Sequence, residues 1–285
     1  MILPSLNLNI ISSELPALPS VDDPSVTVWR DRHGILGALS HLQNGKRWLH
    51  VINLASFKLE LEQNEVTAIP AQDVPHELVE DEFQRTVWPT ALQLQGWEVL
   101  HGSAVQTAKG IVAFCALSET GKSTIAYALS ERGHSLFADD AVLLNFSSKD
   151  VIASTMPFQV RLRPASASYF GHATSESDTM FGRVRREGKK NYEHSSLKAV
   201  CLLEKLPDDS PETLIISRMS ATEALPELLK HAIYFSSEDK ERKREMVQHY
   251  LSLAMQVPIF RAGFRHGFDK LPSVLDGLEQ HVICP

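Results

Sequence analysis

The stretch "FCALSETGKSTIAYAL", Phe114 to Leu129, decides how this chain is read. The apolar run "GIVAFC", Gly110 to Cys115, leads into it, and an amphipathic stretch from Lys122 to Arg132, ended by Gly133, leads out. Strand, turn and helix form the setting in which a Gly-x-x-x-x-Gly-Lys-Ser/Thr loop turns its backbone amides onto phosphates, and the helix N-terminus adds roughly half a positive charge. The turn here is Ala116, Leu117, Ser118, Glu119, Thr120 and Gly121, followed by Lys122, Ser123 and Thr124. Lys122 supplies the cation for β- and γ-phosphates, and Ser123 a hydroxyl for Mg²⁺. The departure is Ala116, which stands where the pattern has its first glycine. A negative φ at that residue leaves the amide cradle intact; a positive one costs about 1–2 kcal/mol of strain. The competing reading is an ordinary helix start capped by a polar turn.

Working outward, "SLFADDAVLLNF" reads as two strand pieces around Asp139 and Asp140, at the end of the strand after the loop helix. In open α/β sheets the carboxyl ends of neighbouring strands converge on a ligand. Two adjacent carboxylates cannot both be buried as charges without a cation, which points to Mg²⁺ between them and the nucleotide. An acidic turn without function is the plainer alternative. His101 closes the first half of "EVLHGSAV", read with "GIVAFCA" as adjacent strands, and is either a structural histidine or part of the same site. In "QVRLRP", Arg161 and Arg163 are either bidentate phosphate ligands or solvated strand arginines. From Gly171 to His194 no periodicity is visible. Arg183, Arg185, Arg186, Lys189 and Lys190 make this a long basic loop, either solvated or able to close over acceptor and phosphates.

The wider pattern divides at Gly96. Residues 1–96 read as a small β-rich unit: Val26 to Ile69 alternates with period two, best in "FKLELEQ", where Phe57, Leu59 and Leu61 share one face. A helix over Pro75 to Gln95 closes it, with Pro89 expected to kink or split that helix. Residues 97–285 alternate short apolar runs with helical stretches, the mark of an α/β domain. A hydrophobic content of 43% with no run of about 18 apolar residues excludes a membrane-spanning helix. A net charge of −7 gives no general attraction to nucleic acid or anionic lipid. Cys115, Cys201 and Cys284 are too widely spaced for a disulfide framework or zinc site. The first residues lack a basic segment and cleavage site, which makes a cytoplasmic protein the expectation.

Taken together, "LHGSAV", "ALSETGKST", "ERGHSLFADDAVLL" and "VPIFRAGFRHGFDKLPSVLDGL" resemble the kinase domain of the HPr kinase/phosphorylase family. His101 stands 21 residues before Lys122 and Asp140 stands 18 after it, the spacings of that family. The resemblance covers about Glu98 to the C-terminus and implies a P-loop kinase fold related to phosphoenolpyruvate carboxykinase. It further implies that Asp140 is the base for the acceptor hydroxyl and that Asp139 and Ser123 fix Mg²⁺. Lys122 would hold the phosphates of ATP, and His101 would orient the acidic pair. The family's metal-binding glutamate has no counterpart; Gln159 stands in its place. Its signature for the reverse reaction is also missing, which leaves a kinase only. Compact relatives resemble kinases that modify ribosomally made peptides such as lasso-peptide precursors, so the implied partner is a peptide or small protein offering a serine hydroxyl. A homo-oligomer is compatible with the resemblance, since members of the family often form rings. A small-molecule kinase for a sugar, amino acid or nucleoside, and a nucleotide-binding module without chemistry, remain alternatives.

Overall fold

The computed structural model describes residues 5–30, 33–147, 150–173, 184–187 (backbone only), 193–233 and 239–284. It is a mixed α/β structure in two compact units, the first comprising Met1–Trp97 with Ile233–Glu245 and the second Glu98–Ala232 with Met246–Pro285.

The first unit holds a six-stranded sheet: β1 (Asn7–Ile10), β2 (Thr27–Arg30), β3 (Leu36–Gln43), β4 (Lys46–Val51), β5 (Ala55–Glu60) and β6 (Glu65–Pro70). β2 to β6 form an antiparallel meander, and β1 adds to β6 in parallel. Asn44 and Gly45 both take positive φ between β3 and β4, the backbone that a two-residue hairpin turn demands. Alternation along β5 puts Phe57 and Leu59 into the core with Leu49, Val66 and Ala68. Helices α1 (His76–Glu82) and α2 (Trp88–Leu94), with the turn of helix between them, bring Val79, Phe83, Val87 and Ala91 onto the same face. Pro89 does divide the helical run: a π-helical turn over Phe83–Val87 precedes it, and proline sits in the first turn of α2, where its missing N–H is tolerated. The returning segment ties off this helix. Arg242 donates from Nε to the Gln93 carbonyl at 3.2 Å and from Nη2 to the Trp97 carbonyl at 2.9 Å.

The second unit is built on a nine-stranded mixed sheet. Its elements begin with β7 (Glu98–Leu100), β8 (Gly102–Thr107), β9 (Gly110–Cys115), α3 (Lys122–Glu131), β10 (Ser135–Ala138), β11 (Val142–Phe146) and β12 (Val151–Ser154). β13 (Gln159–Leu162), α4 (Pro164–Tyr169), β14 (Val184–Glu187), β15 (His194–Lys205), β16 (Leu214–Arg218) and α5 (Ala221–Leu229) follow. Helix α6 (Lys240–Gln256) starts in the first unit and ends in the second, before β17 (Ile259–Phe264) and α7 (Leu271–Leu278). The path runs β10-β8-β9-β15-β12-β11-β7, with β17 pairing β15 and β16. Only β9, β15 and β17 run parallel; every other pairing is antiparallel. Helices α3 and α7 pack Ile125, Leu129, Leu271 and Leu275 against Phe114, Cys201, Leu203 and Phe264 of the sheet.

Two expectations from sequence are corrected. "EVLHGSAV" is not one strand. It breaks at His101, β7 pairing β11 while β8 pairs β9 and β10. The residue after the break has to be glycine, because a Cβ on Gly102 would come within 2.7 Å of the Phe114 carbonyl oxygen. The stretch from Gly171 to His194 is not wholly loop either: Val184–Glu187 forms β14, paired with β13 so that Arg185 lies opposite Arg161. Backbone ladder bonds, which need no apolar periodicity, hold that short ribbon together. Arg183, Lys189 and Lys190 lie outside the described residues, as do the side chains of Arg185 and Arg186.

Candidate active site

β9 is buried along its whole length and delivers the chain to Ala116, itself buried. Around the turn, positive φ among non-glycine residues falls on Glu119 and not on Ala116. Alanine at the first position therefore carries no left-handed strain. The left-handed residue directly before the helix is Gly121, with φ 102° and ψ 17°, and its carbonyl accepts the first helical bond of α3, from Ile125 N–H at 2.9 Å. Lys122 is 8% exposed, and its Nζ donates back to the Ala116 carbonyl at 3.1 Å. Leu117 is exposed at the outer edge of the turn. The Glu119 carboxylate meets Arg163 Nη2 at 2.9 Å on the surface. Thr124 Oγ1 shares a hydrogen bond of 3.0 Å with Ser166 Oγ, which fastens α3 to α4.

Asp139 and Asp140 follow β10 and behave differently. In the antiparallel register Ala138 lies opposite Ala104, so one step further Asp139 meets Ser103. Ser103 Oγ donates to Asp139 Oδ1 at 2.6 Å, Ser123 Oγ donates to the same oxygen at 2.8 Å, and the Arg161 backbone N–H donates to Oδ2 at 3.3 Å. Burial pushes the Asp139 carboxyl above its ordinary range, the neighbouring Asp140 charge pushes the same way, and the three donors oppose both. Asp140 has φ +66°, and the Ala141 N–H returns to the Asp139 carbonyl at 2.9 Å. A bond two residues back across a positive φ is the rare, strained kind of γ-turn. Its position is held by three contacts: Gly102 N–H to the Asp140 carbonyl at 3.3 Å, His101 Nδ1 to that carbonyl at 3.1 Å, and Asp140 Oδ2 to Arg161 Nη1 at 3.2 Å. Because a carbonyl only accepts, His101 carries its proton on Nδ1 there. That bond holds the acidic turn by its backbone carbonyl.

The structure thus brings together His101, Lys122, Ser123, Asp139, Asp140 and Arg161. Arg163 joins only through the loop's Glu119, and Arg185 is placed by strand register alone. Three further residues belong to this neighbourhood. Ser103 grips Asp139. His231, at the end of α5, accepts the His101 N–H on its backbone carbonyl at 2.7 Å. Its imidazole is pushed down to about 4 by burial and by the charges of His101 and Lys122. His266 stacks on Phe264 with ring centroids 5.1 Å apart; burial and Lys205 lower its pKa, against a hydrogen bond to the Thr120 backbone. Ser103 had a signal in the sequence, two positions after His101 on the same strand run. The two histidines had none, since only the tertiary chain path brings them to the loop.

Among the described residues no group of three or more His, Cys, Asp or Glu stands close enough to hold a metal by itself. The donor set that is present, the Asp139 carboxylate with the Ser123 hydroxyl, suits a small divalent cation that completes its shell with phosphate oxygens and water, as Mg²⁺ does.

No protein-family profile matches the chain, and no curated protein matches it. Among solved structures the chain is similar to the Hpr(Ser) kinase/phosphatase from Coxiella burnetii, at 15% identity and a TM-score of 0.35 over 65% of this chain and 90% of that one. A likeness at that score assigns no residue a role. No described helix is long and apolar enough to cross a membrane.

Proposed function

We propose that the chain is an ATP- and Mg²⁺-dependent kinase that transfers the γ-phosphate to a serine hydroxyl of a peptide or small protein. The observation that carries this reading is the Ser123–Asp139 hydrogen bond, 2.8 Å long, which joins the N-terminus of α3 to an acidic turn whose second carboxylate sits on strained backbone. Phosphoryl transfer asks mainly for placement and charge neutralisation, and this arrangement supplies both. The amides of the turn and of the first turn of α3 would receive the phosphates, apart from that of Thr120, which donates to the Leu117 carbonyl at 3.4 Å, and Lys122 would leave the Ala116 carbonyl to meet them. Asp139 and Ser123 would hold the metal, which would supply charge to neutralise the phosphates. Asp140, on its fixed turn, accepts the proton of the incoming hydroxyl. His101 and Gly102 keep that turn from relaxing.

The test is to incubate the protein with ATP, Mg²⁺ and a panel of serine-containing peptides and to look for a mass gain of one phosphate. Asp140→Asn should lower transfer by about 10²–10⁴-fold, the usual size of a general-base contribution, while ATP still binds. Transfer that survives this substitution, or nucleotide binding with no phosphorylated peptide from any member of the panel, would count against the reading.

A further inference from the structure

Arg161 touches both carboxylates of the acidic turn, and does so with different groups. Its backbone N–H meets Asp139 Oδ2, while its guanidinium meets Asp140 Oδ2 at 3.2 Å. The side chains of this ion pair are 6% and 14% exposed, so solvent screens them little. The strand position is fixed: β13 pairs with β14, and its backbone is further anchored on Asp139. The guanidinium, on its long side chain, is the part of Arg161 that can change partner. Lys122 stands in the same condition, its ammonium on the Ala116 carbonyl. Both cations therefore rest on protein oxygens close to the Ser123 end of α3, where the proposed phosphates would lie. A phosphate offers a guanidinium more charge and more acceptor oxygens than a single carboxylate oxygen does.

We propose that Arg161 is an exchangeable clamp: it holds the Asp140 carboxylate while no nucleotide is bound, and passes its guanidinium to phosphate oxygens when nucleotide enters, freeing Asp140 for the acceptor. This inference rests on the nucleotide reading above and adds an order of events, donor before acceptor. It makes Asp140 and the nucleotide competitors for one guanidinium. The γ-turn is what makes release useful, because the Asp140 backbone stays pinned by His101 and Gly102 after its side chain is let go.

Competition has a sign that a merely structural ion pair lacks. The probe is the non-hydrolysable analogue AMP-PNP, with its affinity measured in EDTA so that metal ligation does not enter. Arg161→Gln should weaken binding roughly tenfold. Asp140→Asn should tighten binding about threefold or more, and the tightening should vanish in the Arg161→Gln background. Arg161→Lys, which keeps the charge but loses the fork, should fall between wild type and Arg161→Gln; circular dichroism establishes that each variant is folded. Additive effects of the two substitutions, or weaker binding in Asp140→Asn alone, overturn the clamp and leave the nucleotide reading standing. No AMP-PNP binding by the unmodified protein, either in EDTA or with Mg²⁺ added, overturns both.

Discussion

In the six-stranded sheet the buried polar side chains sit within strands and stay neutral, whereas those around the acidic turn of the second unit come from a strand, a turn and a helix start and include charges. His50 on β4 shows the first arrangement. It is almost fully buried and shares a hydrogen bond of 2.8 Å with Ser56 Oγ. Its ring stacks against His41 and Trp48, with centroids 5.2 and 5.9 Å away, and burial and His41 push its pKa down to about 4. Lys122, Asp139 and Arg161 show the second. Each is buried, and each is tied to a protein oxygen or donor. Buried ion pairs are poor sources of stability, because desolvation offsets most of their attraction. A sheet that needed only to be stable would use the first solution. The second makes sense where charge is put to work.

Truncating the apolar core gives the largest expected contrast. Phe57→Ala should cost about 3–5 kcal/mol of stability, read from denaturant unfolding. Ser103→Ala, which removes one of three donors to Asp139, should cost only about 1–3 kcal/mol, yet depress the proposed phosphotransfer where Phe57→Ala in its folded fraction does not. Equal effects on transfer would erase the distinction between the two regions.

Through its buried histidines, acid should act on both regions with the same sign. His50 and His231 both have folded pKa values of about 4 against an ordinary 6.5, so the unfolded chain takes up protons first. Their contribution is complete above about pH 6.5 and is lost as pH falls from there through about 4. Unfolding curves at pH 7, 5.5 and 4 should show stability declining over that window, and His50→Gln should flatten the slope. The smallest effect is expected away from either polar cluster. Ser220 and Glu223 form a capping box at the start of α5, so Ser220→Ala should cost about 1 kcal/mol, a melting shift of about 2–4 °C, with transfer unaltered.

Period-two patterning made β5 readable, since Phe57 and Leu59 face one way and Lys58 and Glu60 the other. The helix after the loop was readable because Gly121, Lys122 and Ser123 are contiguous and local geometry follows from them. β14 was not, since "VRRE" lacks alternation and is a strand through its pairing with β13. The break at His101 was hidden for a related reason. "EVL" and "GSAV" look like one apolar run, and only their different partners separate them.

The sequence by itself determined the ingredients: a glycine-ended turn between an apolar strand and a helix, a lysine and serine directly after it, an acidic pair on the next strand, and no apolar stretch long enough to span a bilayer. Their assignment was decided by the tertiary structure. The structure put Asp139 against Ser103 and Ser123 and left Asp140 to Arg161, and it brought His231 and His266 to the loop from far along the chain. The physical reason is that hydrogen-bond partners across a sheet depend on strand register and chain path. Both are settled by how distant segments bury their apolar faces together, and neither is written in any short stretch.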